Sequence, residues 1–486
     1  MTASIGFSRS SVALVLSLSF LASPLSGQLD RDKVPPAGKA PTLKVPAWTH
    51  TKLANGADLV LIEKHDLPLV ACTIDFVGGA STFEPTDKLG VASFTAQMLS
   101  EGTATRSADD LSNAQQMLGT SISANVGTEA GGLRFTALKG KFEPALGLLA
   151  DMLLHSAFPD SALERIRART LVALTQARDQ PNTIATNVFL KVVYGDEHPY
   201  GRVVSEKTVR AVTRADVLAF QKAYFRPGRA VITVTGDIDP RAIRTTVEKA
   251  LAAWPAGGER PAFTYPALPA AHARTIYLVD KPKAAQSVFA IGEPGPPRRT
   301  PDYFAIQVMN NLLGGLFQSR LNHDIREVKG YSYGVSSGFA FGRGPGAFRA
   351  GGGIVSAKTD SSLIAFMLHF RGVQGEIPFT DDELQQGKES LVQSLPGRFA
   401  SVNGIGAAIS NIYTQDLPEG YYKEYAAKIG AVTRDDLVRV AKRYVDLDHL
   451  AIVIVGDRAT IEEPLRKTGI APIVILDADG KPVVTP

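Results

Sequence analysis

The sequence predicts an α+β protein assembled from two copies of one domain, and three observations carry that prediction. Val212-Thr213-Arg214-Ala215-Asp216-Val217 recurs as Val432-Thr433-Arg434-Asp435-Asp436-Leu437, 220 residues later. The match runs without a gap through Tyr224 and Tyr444, then through an apolar strand pattern in each half, to Gly236-Asp237 and Gly456-Asp457. A helix, a strand and a closing Gly-Asp that recur together at one offset mark a duplicated unit. The length, 486 residues, exceeds one ordinary core and fits roughly two to four domains. Strand-like alternation and helical periodicity also alternate along the chain, so neither an all-helical nor an all-strand protein fits.

The first segment, 1–27, reads as a secretory signal. Arg9 precedes the apolar run Val12 to Ala22, which has the length of a signal core and is short for a membrane span. Residues 28–42, rich in Pro, Lys and Asp, are expected to form a flexible lead-in. Nothing later is apolar for long enough to cross a bilayer, so the mature chain is expected to be periplasmic, without a span. The first domain is placed at 43–256. Strands are expected at Ala57 to Glu63 and Leu69 to Val77, parted by the turn segment Lys64 to Pro68 and closed by Gly78-Gly79. A helix over Gly90 to Thr103 follows, then an amphipathic helix from Ser107 to Leu118. Strands come next at Ser121 to Val126 and Gly131 to Leu138, and helices at Glu143 to Leu154 and Asp160 to Arg178, the last stopped by Asp179-Gln180-Pro181. A Pro, Gly and Ala-rich linker spans 257–273, and the second domain is placed at 274–486.

Composition excludes some classes. With 52 Lys+Arg against 48 Asp+Glu the formal charge is +4 and scattered, which is no footprint for nucleic acid. The one cysteine, Cys72, cannot form an internal disulfide and sits in an apolar strand pattern, as a core residue does. An exported chain without disulfides rests on its cores, and a 44% hydrophobic composition can fill them.

Catalytic patterns are weak when their context is checked. Gly334-Val335-Ser336-Ser337-Gly338 has GxSxG spacing, but that motif needs a strand-to-helix elbow, whereas Tyr331 to Phe341 alternates like a continuing strand. Gly342-Arg343-Gly344-Pro345-Gly346 resembles a phosphate loop in spacing and a hairpin turn in context. The eight histidines, at 50, 65, 155, 198, 272, 323, 369 and 449, include no pair within one or two helical turns, so no metal site is expected in this chain. His323 reads as a surface or capping residue.

The most informative stretch is Gly90-Val91-Ala92-Ser93-Phe94-Thr95-Ala96-Gln97-Met98-Leu99-Ser100-Glu101-Gly102-Thr103. In the inverted zinc motif HxxEH, two His one turn apart bind the metal and the adjacent Glu activates water. The flanks here resemble that helix in the pitrilysin or insulinase peptidase family, while the three chemical positions read Ser93, Ala96 and Gln97. His198-Pro199-Tyr200-Gly201 and the helix and strand ending at Gly236-Asp237 resemble the rest of that family's first domain. The resemblance covers nearly the whole mature chain. It implies, for each domain, a mainly antiparallel sheet with helices packed on one face, and for the pair one half of a clamshell. It also implies a third zinc ligand, a Glu, on the later long helix, yet Arg165 to Gln176 contains no carboxylate.

Asn311 to Leu321 and Ile325-Arg326-Glu327-Val328-Lys329-Gly330-Tyr331-Ser332-Tyr333-Gly334 resemble the family's second domain. There an Arg, and a Tyr seven positions later, hold substrate backbone near the scissile bond. Arg326 and Tyr333 fall on those positions, and a guanidinium and a phenol can both donate to a carbonyl or a developing oxyanion. The bland alternative pairs Arg326 with Asp324 or Glu327 and packs Tyr333 on a sheet; Arg320 and Tyr331 read as structural. Gly131 to Leu138 resembles the edge strand to which a substrate adds, although a plain edge strand fits equally. The resemblance thus implies the non-catalytic subunit of a two-subunit zinc metalloendopeptidase. Zinc is expected in a paralogous HxxEH-bearing partner, and the substrate is a peptide or unfolded polypeptide. The alternative is a pseudopeptidase that binds peptides or scaffolds a complex without a part in hydrolysis.

Overall fold

The structure, a computed structural model, describes residues 43–483. The expected signal peptide (1–27) and lead-in (28–42) lie outside the described residues. The chain is α+β and carries two six-stranded mixed sheets. The first holds β1 (Trp48–Lys52), β2 (Asp58–Glu63), β3 (Leu69–Val77), β4 (Ser123–Val126), β5 (Ala130–Leu138) and β6 (Ala230–Gly236), in the order β1-β2-β6-β3-β5-β4. The second holds β7 (Thr275–Asp280), β8 (Gln286–Pro294), β9 (Ser332–Phe339), β10 (Ala347–Val355), β11 (Ala451–Gly456) and β12 (Ile473–Leu476), in the order β12-β7-β11-β8-β10-β9. The duplicated strands β6 and β11 take the same central slot in their sheets. Each lies parallel to one neighbour and antiparallel to the other, and every residue in both is buried. Strands buried on both sides read as near-continuous apolar runs, unbroken in β11 and interrupted in β6 only by the β-branched Thr233 and Thr235, and this is why the repeat was visible there. The copies part at one edge, where β1 pairs antiparallel with β2 but β12 pairs parallel with β7.

The helices that matter for the site are α1 (Val91–Met98), α2 (Ala108–Leu118), α3 (Phe142–His155), α4 (Asp160–Ala177), α5 (Pro181–Tyr194), α6 (Arg214–Tyr224), α7 (Tyr303–Asn310), α8 (Thr359–Arg371), α9 (Val402–Thr414) and α10 (Arg434–Tyr444). The repeated helices α6 and α10 start with the same device. Thr213 and Thr433 accept from the backbone N–H of Asp216 and Asp436, whose carboxylates accept in return from the threonine N–H groups.

Each half packs its own helices on one face of its sheet, as expected, with Leu59, Cys72, Ile74 and Phe76 meeting α1, α3 and α6 in the first. Cys72 is fully buried there, and burial pushes its thiol up to about 12, as suits a core residue. The opposite face of each sheet is covered by a helix from the other half. α5, from the first half, lays Ile184, Ala185, Val188 and Phe189 on Val288, Ala290, Val453 and Val455 of the second sheet. α9, from the second half, sets Ile405 and Ile409 in one core with Val60, Ile62 and Val231 of the first. The expected stop at Asp179-Gln180-Pro181 does end the helix Asp160–Ala177, and the same segment also starts α5. Pro181 stands in its first turn, where a missing N–H costs nothing.

This exchange buries polar groups between the halves. Asp75 on β3 accepts from the Ser410 hydroxyl of α9 at 2.5 Å; burial holds its carboxyl above the usual range against the pull of Ser410 and Thr73. Segment 257–273 carries no helix or strand but is pinned: Arg260 donates to Asp58 at 3.2 Å and to Asp416 at 2.8 Å.

One buried acid gives the fold a pH signature. Glu293 on β8 is 9% exposed, accepts the Asp446 N–H, and is pushed up from 4.5 to about 7, by burial first and by the neighbouring Asp446 carboxylate against that hydrogen bond. Between those values the folded chain binds more protons here than the unfolded chain, so stability falls as pH rises from about 4.5 to 7 and then levels. Glu293→Gln keeps the acceptor and removes the charge. Its stability relative to wild type is expected to rise over that window by up to about 3 kcal/mol, the energy of a shift of this size. Urea unfolding of both proteins at pH 5 and pH 8 measures the difference.

Candidate functional site

α1 presents two faces. Val91, Ala92, Phe94, Thr95 and Met98 turn inward and are buried, which leaves Ser93 and Gln97 on the outer side one turn apart, with Ala96 buried beside them. Gly90, at φ 104°, supplies the left-handed turn into the helix, and the Glu84 carboxylate accepts from the N–H groups of Gly90 at 3.0 Å and Ala92 at 2.8 Å. That cap was not read from the sequence.

The outer face of α1 is closed by hydrogen bonds. The Gln97 amide donates to the Ser93 hydroxyl at 3.1 Å, and its carbonyl accepts from the Arg169 guanidinium at 2.6 Å. One turn earlier on α4, Arg165 is paired with Glu101. The helix expected to lack a carboxylate ligand therefore sends two cations toward α1. A hydroxyl, an amide and a guanidinium are poor partners for a divalent cation, and the guanidinium repels it, so these residues do not fit zinc. Among the described residues no group of three or more His, Cys, Asp or Glu is arranged to hold a metal ion. The signal for Arg169 was present as matched four-residue spacing, Gln97 and Glu101 against Arg165 and Arg169.

β4 lies against α1 and forms the edge of the first sheet. The expectation that Gly131 to Leu138 is the edge is corrected here. β5 lies between β3 and β4, because the chain doubles back through Gly127 to pair Ser123–Val126 with Gly131 to Arg134. The exposed edge beside the altered motif is the four-residue β4.

Arg326 and Tyr333 sit on the second half. Arg326 belongs to a helical segment with a widened turn, His323–Val328; its guanidinium lies 4.4 Å from the centre of the Phe317 ring and 3.3 Å from the Glu327 carboxylate. The pairing with Glu327 is thus present, whereas Asp324 bonds Lys329 and His369 instead. Burial raises the Asp324 carboxyl, but those two bonds outweigh it and hold it below its ordinary value. Tyr333 is not packed on a sheet face: it is 87% exposed on the edge strand β9, and Phe317, which stacks on Arg326, is 62% exposed. Tyr333 and Arg326 do not bond each other, nor does either bond Ser93 or Gln97.

Buried groups hold this exposed pair. Asn322, 4% exposed, donates to the Phe317 carbonyl at 2.7 Å and accepts from the Val335 N–H at 3.1 Å. Ser332 donates to the Gly353 carbonyl at 2.6 Å and accepts from the Gly334 N–H at 2.9 Å, beside an irregularity in the β9 and β10 pairing. The residues on either side of Tyr333 are fixed while its ring projects outward.

Other motif residues are structural. Arg320 donates to Glu383 at 2.7 Å and to the Ile377 and Pro378 carbonyls, and His323 is exposed. Ser336 lies within β9, so no nucleophile elbow exists. His198 is 1% exposed, with Tyr194 and Tyr265 stacked on its two sides; burial and then Arg202 hold its imidazole below its ordinary value. Tyr200 donates to Glu129, which also accepts from Tyr265 at 2.8 Å and from the Arg343 N–H at 2.7 Å. The loop at Gly342 to Gly346 thus closes the β9 and β10 hairpin and wraps a carboxylate of its own chain.

Comparison with known proteins finds both zinc proteases and a non-peptidase homolog. Residues 59–202 match the family described as Insulinase (Peptidase family M16), and residues 211–391 match Peptidase M16 inactive domain. An uncharacterized zinc protease of Bacillus subtilis, YmxG, is 26% identical over 79% of this chain and 92% of its own. A Helicobacter pylori protein described as non-peptidase homolog YmxG is 25% identical over 86% of this chain and 96% of its own. The crystal structure of a peptidase M16 inactive domain from Pseudomonas fluorescens superposes with a TM-score of 0.77 at 25% identity, covering 84% of this chain and 98% of the other. The chain belongs to the M16 peptidase family, the pitrilysin and insulinase family, and its sequence contains no HxxEH.

Proposed function

We propose that this chain is the non-catalytic, substrate-holding subunit of a heteromeric periplasmic zinc metalloendopeptidase. The zinc and its HxxEH helix belong to a paralogous partner, and Arg326 and Tyr333 donate to the substrate backbone at the partner's site. One observation carries the reading: Tyr333 is 87% exposed and scaffolded by buried groups, while the chain's own α1 site is bridged by Arg169. A solvated phenol, and a half-open guanidinium stacked on the exposed Phe317 ring, are both free to meet another chain. The N-terminal signal pattern supports export, and no helix of the described residues is long and apolar enough to cross a membrane.

Co-purification from the periplasm, with metal and peptidase assays on complex and isolated chain, tests this. The isolated chain is expected to take up well under one equivalent of zinc in equilibrium dialysis and to cut nothing. The complex is expected to hold zinc in the partner and to cleave unfolded polypeptide. One equivalent of zinc on the isolated chain overturns the reading. A complex that forms but cleaves equally well without this chain makes it a scaffold instead.

A further inference from the structure

α5 covers β11 and β8 but stops short of the sheet edge, which leaves an open trough of about 580 Å³ over β10 and β9. Register puts Gly338 opposite Arg349 and Ser336 opposite Gly351, so these four share the face toward α5. The floor is almost bare backbone, and a Cβ built on Gly338 meets nothing within 4 Å. Asn182 and Phe189 of α5 form the wall.

The one charged group lining the trough is Arg349, which donates to the Thr186 hydroxyl at 3.1 Å and has its carbon 5.7 Å from the Phe189 ring centre. Among the described residues no carboxylate lies within ion-pair distance of it, and burial lowers its affinity for its proton with no charged neighbour acting on it. Arg349 is half-buried, its one side-chain hydrogen bond goes to Thr186, and its remaining donors stay open to the trough with no anion on them. The corresponding face of the first sheet gives its cation partners from its own chain: Arg134 donates to Asn125 at 3.1 Å and faces the Asp75 carboxylate, whose burial-raised carboxyl it pulls back slightly.

We propose that this trough binds an acidic peptide, with a peptide carboxylate seated on Arg349 and its chain lying over Ser336 and Gly338. Tyr333 stands three residues from Ser336 on the same strand, roughly 10 Å at strand rise. The proposal therefore rests on the substrate-holding role above and names its substrate class: peptides with an acidic group a few residues from the bond held at Tyr333. The carboxylate comes either from an Asp or Glu side chain or from the peptide C-terminus.

Fluorescence polarisation on the purified full chain tests it. The probes are a fluorescein-labelled octapeptide with one Asp, its Asn counterpart, and both with free and amidated C-termini. Wild type is expected to bind the acidic forms about tenfold tighter than the neutral one, as a charge-assisted pair does. Loss of preference on Asp→Asn assigns the side chain, and loss on amidation the C-terminus. Arg349→Gln is expected to erase the preference, and Gly338→Val, which fills the trough at a position a strand tolerates, to weaken all four peptides with an unchanged Tm. Equal affinity for all four peptides, no binding, or a preference that survives Arg349→Gln overturns the proposal. Because the assay uses the isolated chain, the Arg349 preference can stand even when Arg326 and Tyr333 prove idle in hydrolysis, and the reverse.

Discussion

Arg326→Ala with Tyr333→Phe is expected to lower kcat of the reconstituted complex by roughly 10²- to 10³-fold, the loss seen when donors to a developing oxyanion are removed. The argument rests on what the two side chains do not do at home. Tyr333 is 87% exposed, so removing its hydroxyl leaves the fold as it was. Arg326 gives up a stacking contact with Phe317 and a solvent-facing pair with Glu327, each of which contributes about 1 kcal/mol or less. The Tm of the isolated chain should therefore stay within a few degrees of wild type, and gel filtration should still show the complex. Donors that strengthen only in the transition state act on kcat, whereas donors that merely grip the substrate act on KM. A raised KM with kcat unchanged would make the pair a peptide clamp, and unchanged kinetics would remove them from the reaction. Asn322→Ala provides a related control. It frees the Phe317 carbonyl and the Val335 N–H and so loosens the segment that carries both donors without touching either.

The sequence disclosed local and repeated features well and relational ones poorly. The duplication was legible because Thr213 with Asp216 and Thr433 with Asp436 are capping boxes, written within four residues, and because β6 and β11 are β-branched, mostly apolar runs that each end in Gly-Asp. The altered motif was legible because Ser93, Ala96 and Gln97 stand in flanks that kept their pattern. The exchange of α5 and α9 was not legible. An amphipathic helix shows that it has a partner without showing which sheet, and Pro181 stops one helix and starts another equally well. The edge strand was assigned one strand too far inward, because the four-residue β4 and the nine-residue β5 adjoin in sequence and only pairing reveals which is outermost. Arg169 and Arg349 illustrate two limits. The first was readable in principle from complementary spacing with Gln97. The second matters for the carboxylate it lacks, which depends on residues far away in the chain.

Phe189→Ala is expected to cost about 3–5 kcal/mol, the range for emptying a buried phenylalanine site, and to do so for the whole chain. Phe189 belongs to α5 and is 1% exposed against the second sheet, although its helix is covalently part of the first half. If α5 leaves, the second sheet loses the cover over Val288, Ala290, Val453 and Val455; if α9 leaves, the first loses it over Val60, Ile62 and Val231. Neither half buries both faces of its own sheet, so local opening of one exposes apolar surface on the other, and a single cooperative transition follows. The two tryptophans make this measurable. Trp254 is 3% exposed in the core of the first half, and Trp48 donates to the Tyr413 hydroxyl across the halves at 2.7 Å. In a Trp48→Phe background, urea unfolding followed by Trp254 fluorescence reports the first half alone. Phe189→Ala should shift that midpoint as far as it shifts far-ultraviolet circular dichroism, with the slope unchanged. A fluorescence midpoint that stays put while part of the dichroism signal moves would mean that the halves unfold independently. In that case the exchanged helices would be docking contacts, and the two halves could open against each other without unfolding.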